Sequence, residues 1–186
     1  MSPFEYVIVL ISIILGLGIT TILTGVAELI KQSKLFILYL PHFIWILLVF
    51  VMHIHEWWFS YELKTESVWT LHMFLFILLY PINLYILAHL LFPAGLSTGF
   101  TSREFYLNNY PKLFIGTIIL DVQSIIHNLV FKSYPIQTQI PHVIVLAVLS
   151  AMVLSKTKNS IVHTVVSILL LITMIVSLAF ERRTLY

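Results

Sequence analysis

The segment Met52-His53-Ile54-His55-Glu56-Trp57-Trp58 sets two imidazoles and a carboxylate within one helical turn of each other. His53, Glu56 and Ser60 follow i, i+3, i+7 spacing and share one helical face, which Val49 and Trp57 complete. Further on, Thr117, Asp121, Ser124, His127 and Asn128 form a second broad polar face, with Gln123 at its edge. Carboxylates and histidines at successive depths in apolar surroundings can relay protons or bind cations, because burial and neighbours bring their proton affinities toward working pH. Glu56 and Asp121 are the expected carriers of such a pathway. His53 and His127 are their expected partners, and Ser124 and Asn128 add hydroxyl and amide groups.

A different chemistry is open to overlapping residues. Histidine with carboxylate also binds zinc or a non-haem metal, and His55, His72, His127 and Glu56 are the candidates. Haem b would need two facing histidines, or one histidine with another ligand, and His55 with His127 is the pair that depth allows. No HExxH or other tight ligand spacing occurs, so no cofactor is predicted and metal or haem b belongs to the alternative only.

Several chemistries are excluded. The chain has no cysteine, which removes disulfides, iron–sulfur clusters, thiolate zinc and covalently attached haem. A net charge of +2 gives no basic footprint for nucleic acid. No Walker A sequence and no TVGYG filter is present, and no arginine ladder resembles a voltage sensor. No lysine falls inside an expected span, which argues against a retinal Schiff base. Gly95-Leu96-Ser97-Thr98-Gly99 matches the spacing of a nucleophile elbow, but it follows an apolar helix where that motif requires a strand, and it reads as a loop. No catalytic residue is assigned, and an enzyme is the less expected outcome.

The elements that must hold these groups are membrane helices. The chain of 186 residues is 60% hydrophobic and 10% charged, with a mean hydropathy of +1.01. A soluble domain is about 45–50% apolar and about 25% charged. A spanning helix needs about 20 mostly apolar residues, and six stretches qualify or nearly so: 4–30, 41–62, 68–92, 113–131, 140–155 and 160–180. The fifth is short and has an alternative start at Ile136, with Pro141 in its first turn, as Pro41 stands in that of the second. The fold expected is an all-α, polytopic transmembrane bundle, one domain of about six spans with no soluble domain. The first run has no positive n-region and is too long for a signal peptide, so it reads as a retained span. Residues 102–110 read as a separate short helix at the headgroups, opened by the capping-box spacing Thr101-Ser102-Arg103-Glu104 and carrying Phe105, Tyr106 and Tyr110.

Alternation of six spans fixes depth. It puts His55, Glu56, His72, His127 and His142 in one leaflet with His53 and Asp121 below them, and His89 and His163 at the opposite side. His42, His89, His142 and His163, near helix ends, read as interfacial, and Trp57, Trp58 and Trp69 with His72 as an aromatic belt. A structural hydrogen bond from Glu56 or Asp121 to His53 or His127 is the plain alternative to function. Glu28 beside Lys31 reads as an end-of-helix pair. In the first helix Ser12, Gly16, Thr20 and Thr24 make one small-residue stripe, and Gly18, Thr21 and Gly25 another. Such stripes let backbones approach closely in lipid. Pro81 should kink the third helix, with Asn83 placed to satisfy a freed carbonyl. Loop bias puts Lys31, Lys34, Arg103, Lys112, Lys156 and Lys158 on one side against Lys64, Lys132, Arg182 and Arg183, which favours both termini outside.

The opening Phe4-Glu5-Tyr6-Val7-Ile8-Val9-Leu10-Ile11-Ser12-Ile13-Ile14-Leu15-Gly16-Leu17-Gly18 resembles a family of small polytopic bacterial membrane proteins. The likeness runs on through Glu56-Trp57-Trp58 and Leu79-Tyr80-Pro81 to Leu91-Phe92-Pro93, about the first half of the chain. It implies a bacterial origin and a multi-pass protein of the inner membrane, and adds no site residue. The lipid bilayer is the expected partner, and so few helices leave a pore to be enclosed by a homo-oligomer. The leading expectation is a channel or transporter for a proton, an ion or a small solute. The alternatives are a metal- or haem-binding redox or sensor protein, and a non-enzymatic accessory or signalling subunit.

Overall fold

The computed structural model describes residues 2–31, 39–66, 68–93 and 101–179. Lys34, the 95–99 motif, Arg182 and Arg183 lie outside the described residues. Six helices, each long and apolar enough to cross a membrane, account for most of the chain, and no strand occurs among the described residues. This is an all-α bundle of a multi-pass membrane protein.

Helix α1 (Pro3–Lys31) opens on a reciprocal cap: the Ser2 N–H donates to Glu5 and the Glu5 N–H to the Ser2 hydroxyl. It closes on the Lys31–Glu28 pair at 2.7 Å. Helix α2 (Leu40–Phe59) starts with Pro41 in its first turn and runs into a 3-10 turn, Ser60–Thr65. Helix α3 (Leu71–Leu90) is capped by the Thr70 hydroxyl, which accepts from the Met73 N–H. Helix α4 (Ser102–Ile126) widens into a π-turn, His127–Phe131. A 3-10 turn, Ile136–Gln139, leads into α5 (Ile140–Ser155), which ends on the left-handed Lys156 (φ 49°) before α6 (Ser160–Ala179).

Residues 102–110 are not a separate helix at the headgroups. They form the first turns of α4, which continues through Pro111. Proline in the interior removes only one backbone bond, and the gain is burial: Tyr106 and Tyr110 sit one turn apart and are both 2% exposed. The longer helix moves its own midpoint back to Gly116 and Thr117, so Asp121 lies about 7 Å beyond it at about 1.5 Å per residue. It also takes in Arg103 and Lys112, both exposed, so basic residues do occur within a spanning helix.

Helix α3 is the hub, packing on α1, α2 and α4; α5 lies on the outside of α4, and α6 on the outside of α2. The half of the bundle away from the α2–α3 connection is filled. There Trp45 stacks on Phe114 with ring centroids 5.0 Å apart, and Leu84, Leu87 and Ala88 of α3 are fully buried beside them. In α5 only Leu149 and Met152 are buried, and in α6 only His163 and Ser167. Val145, Val153, Val166, Leu170, Leu171 and Met174 pack partly against the core, and side chains such as Ile144, Leu154, Ile161 and Leu169 face outward, as lipid contact requires.

The two small-residue stripes of α1 part company. A Cβ at Gly18 would collide with the ring of His53, and one at Gly25 with the ring of Phe92, so this stripe is where helices meet. Nothing stands within 4 Å of a Cβ at Gly16. Gly16, Thr20 and Thr24 face outward with Ser12 at the edge, so the first stripe is not a contact within the chain. The reason lies in the buried row Ile11, Leu15, Gly18 and Ile22, whose larger residues choose the inward face.

Candidate functional site

A cavity of about 210 Å³ opens in the half of the bundle nearer the α2–α3 connection. Its floor is α3, with Phe76, Ile77 and Tyr80. One wall is α2, with His55, Glu56 and Ser60. The other wall is α4 and its π-turn, with Gln123, Ser124, His127 and Asn128. At the rim stand His142 of α5 and Ser177 of α6. Four residues expected from the sequence to form a pathway, Glu56, Ser124, His127 and Asn128, therefore share one space.

Each wall has a local cause. In α2 the Ser60 hydroxyl bonds back to the Glu56 carbonyl at 2.8 Å, which leaves the carboxylate of Glu56 directed into the cavity. No side chain among the described residues bonds to that carboxylate. In α4 the Gln123 amide donates to the Phe76 carbonyl at 2.7 Å, tying wall to floor. The Asn128 amide donates to Gln139 at 3.1 Å, tying the wall to the approach to α5. His127 and Asn128 stand in the π-turn, a widening found often at functional sites. Tyr80 lies within interaction range of Ser124, Glu56 and Asp121. Lys132 pairs with Glu66 at 3.0 Å, bridging the end of α4 to the connection before α3.

Asp121 reaches the cavity through a partner. Its Oδ1 accepts from His142 Nδ1 at 2.5 Å, while Oδ2 is buried without a partner among the described residues. The expected partners His53 and His127 are thus replaced by His142, which is not interfacial but turned against α4 from the first turn of α5. The layering by depth stands for His55, Glu56, His127 and His142. His72 shares their leaflet but is exposed and lines no part of the cavity. The metal alternative loses its geometry here: among the described residues no three His, Asp or Glu side chains converge.

His53 is the main departure. It is fully buried, its Nδ1–H donates to the Val49 carbonyl at 2.7 Å, and its ring fills the space left by Gly18 of α1. A carbonyl only accepts, so Nδ1 carries the proton and the bare Nε2 faces the glycine. Residues three apart on a helix differ by about 60° in direction at 3.6 residues per turn. That offset is enough to send His53 to α1 and Glu56 to the cavity. Trp57 is 50% exposed and belongs to the outer surface, not to this face.

The other half of the bundle holds a second polar network. His42 bonds Ser102 through Nδ1 and the Leu91 carbonyl through Nε2, each at 2.8 Å. Tyr106 bonds His163 at 3.1 Å, and His163 bonds the Thr157 carbonyl at 2.9 Å. The Tyr39 and Ser160 hydroxyls meet at 3.0 Å. His42 and His163 are buried clasps between helices, not interfacial side chains; His89 stays at its helix end against Tyr85. Asn83 also binds across helices: its amide donates to the Gly116 carbonyl of α4 at 2.9 Å, not to a carbonyl freed by Pro81 in its own helix.

Compared with family models, curated proteins and solved structures, the chain finds no match in any of the three.

Proposed function

We propose that this protein is a membrane carrier whose binding site is the cavity around Glu56, and that it moves a proton, a small cation or a protonatable solute. The observation that carries this is the carboxylate of Glu56, half-buried in a spanning helix, unpaired, and opening into a space walled by histidines and hydroxyls. An ionisable group at that depth is costly unless it has a task or a partner. The space of about 210 Å³ far exceeds the ~15 Å³ that a single water needs. A carrier fits better than an open pore, because the Trp45, Phe114, Leu84 and Leu87 layer fills the other half of the bundle. The resemblance of the first half of the chain and the bias of its basic residues suggest a bacterial inner membrane with both termini outside.

The test is flux into liposomes holding the full chain, with a pH-sensitive dye for protons and with sodium and potassium as cations. Wild-type protein should raise one of these fluxes above that of empty vesicles. Glu56→Gln should lower it by about ten-fold or more, the equivalent of about 1.4 kcal/mol. Equal flux in wild type and Glu56→Gln, or none in wild type, overturns the proposal.

A further inference from the structure

Among the described residues the cavity has a floor and two walls but no ceiling of packed helix. Helix α5 lies against α4 and α6 against α2, yet α5 and α6 barely touch along their lengths among the described residues. They are joined at one end by the short 156–159 turn, and the cavity lies at the other, with His142 and Ser177 on its two rims. A gap between two outer helices of a spanning bundle lies on the side where their apolar side chains are exposed, the side that lipid covers. Its borders are apolar and outward-facing: Val143 and Ile144 on α5 are 56% and 57% exposed, and Val176 on α6 is 48% exposed.

We infer that the cavity receives its ligand from the bilayer through the gap between α5 and α6, and that this ligand is a lipophilic amine, with its ammonium head at Glu56 and its apolar tail between the two helices. This rests on the cavity being the binding site proposed above, and adds the substrate class.

The head follows from the lining. An ammonium carries three donors and no acceptor. The lining offers an unpaired carboxylate, the hydroxyls of Tyr80, Ser60 and Ser124, and no lysine or arginine. Lys132, the nearest cation at that end of α4, is engaged with Glu66. A phosphate head would meet the Glu56 carboxylate with no fixed positive charge beside it, only the imidazoles of His55, His127 and His142, of which His142 is already bonded to Asp121. The tail follows from the route, since only a molecule already dissolved in lipid meets an opening that faces lipid.

The experiment is equilibrium binding to the full chain in detergent, read by native mass spectrometry, with dodecylamine, dodecanol, dodecyl phosphate and ethylamine as probes. Dodecylamine should bind saturably. Dodecanol, dodecyl phosphate and ethylamine should each bind at least about ten-fold more weakly. Glu56→Gln should weaken dodecylamine by about the same factor and leave dodecanol unchanged. Ser177→Trp, which narrows the gap without touching Glu56, should weaken dodecylamine as well. Retained monodispersity and thermal midpoint qualify both variants as folded.

Equal binding of ethylamine and dodecylamine would overturn the route, and equal binding of dodecanol or dodecyl phosphate would overturn the head. A dimer cross-linked through cysteines introduced at Ile144 and Val176 would show the gap filled by a second copy, and would overturn the inference. Flux that depends on Glu56 without dodecylamine binding would sink the amine and leave the carrier standing. Absence of both would sink the two together.

Discussion

The Nδ1–H of His142, in the first turn of α5, donates to Asp121 of α4 across 2.5 Å. Helix α5 buries little else near this end, its two fully packed residues being Leu149 and Met152 further along. The bond therefore fixes the rim of the cavity as well as the place of Asp121.

Asp121→Ala and His142→Ala should each lower stability by about 1–3 kcal/mol, the cost of leaving a buried hydrogen-bonding group without its partner. The double variant should cost less than the sum, with a coupling of about 0.6–1.7 kcal/mol. Unfolding of the four proteins in detergent measures it, and strict additivity would deny the contact.

Two glycines two residues apart should answer differently to the same change. Gly18→Ala drives a methyl group into the ring of His53 and should cost about 1–3 kcal/mol. Gly16→Ala meets open space and should be neutral or stabilising by up to about 1 kcal/mol through helix propensity. Thermal midpoints of the two variants decide the matter, and an equal loss in both would mean that α1 is rotated from the orientation described.

The amides that clasp α3 to α4 should be worth little singly and more together. Asn83→Ala strips the donor from the Gly116 carbonyl, and Gln123→Ala strips that from Phe76. Each should cost about 0.6 kcal/mol and no more than about 1.7, the average and the maximum for hydrogen bonds between membrane helices. Hydrogen exchange of the α3 and α4 amides in detergent should rise in both variants; no change in either would remove these clasps from the account.

In the second network His42 serves two partners, and the Ser102 hydroxyl also serves two, His42 Nδ1 at 2.8 Å and the Tyr39 N–H at 3.3 Å. Each variant strips two groups of a partner, the Ser102 hydroxyl and Leu91 carbonyl in His42→Ala, the Tyr39 N–H and His42 Nδ1 in Ser102→Ala, but only His42→Ala also empties the volume of a buried ring. His42→Ala should be the more damaging by at least about 1 kcal/mol. Paired denaturation curves test this, and a larger loss for Ser102→Ala would contradict the buried packing of the His42 ring, whose Nε2–H donates to Leu91 and whose Nδ1 accepts from Ser102.

The spans were legible because their signal is local. About 20 apolar residues between polar ends suffice to mark a crossing, and Pro41 and Pro141 stand in first turns as proline's missing N–H dictates. Alternation then placed Glu56, His127 and His142 at one depth. What stayed hidden depends on which helix lies beside which. Nothing local says that α5 returns to α4, so His142 read as interfacial and Asp121 lacked its partner. His53 and Glu56 share a face within about 60°, and only the position of Gly18 on α1 separates them. Tyr80 was visible next to Pro81, but its part in the floor required the α2–α3–α4 arrangement. The capping-box spacing at Thr101–Glu104 marked where a helix starts but not how far it runs; burial of Tyr106 and Tyr110 carries α4 on through Pro111.

The central claim is a carboxylate-bearing cavity at Glu56, and the absence of native cysteine makes it open to direct measurement. Ser124→Cys puts a thiol on the wall opposite Glu56, while Leu84→Cys puts one in the filled layer. The rate of modification by cationic aminoethyl methanethiosulfonate, compared with the anionic sulfonatoethyl reagent, reads both access and charge. Relative to the ratio of the two reagents on a free thiol, the cation should react about thirty-fold faster at Ser124→Cys, since one charge within about 8 Å at an effective dielectric constant of about 20 is worth about 2 kcal/mol. Adding Glu56→Gln should erase that preference, and Leu84→Cys should stay unreactive to both. Equal normalised rates for the two reagents at Ser124→Cys, or a preference that survives Glu56→Gln, would contradict the account.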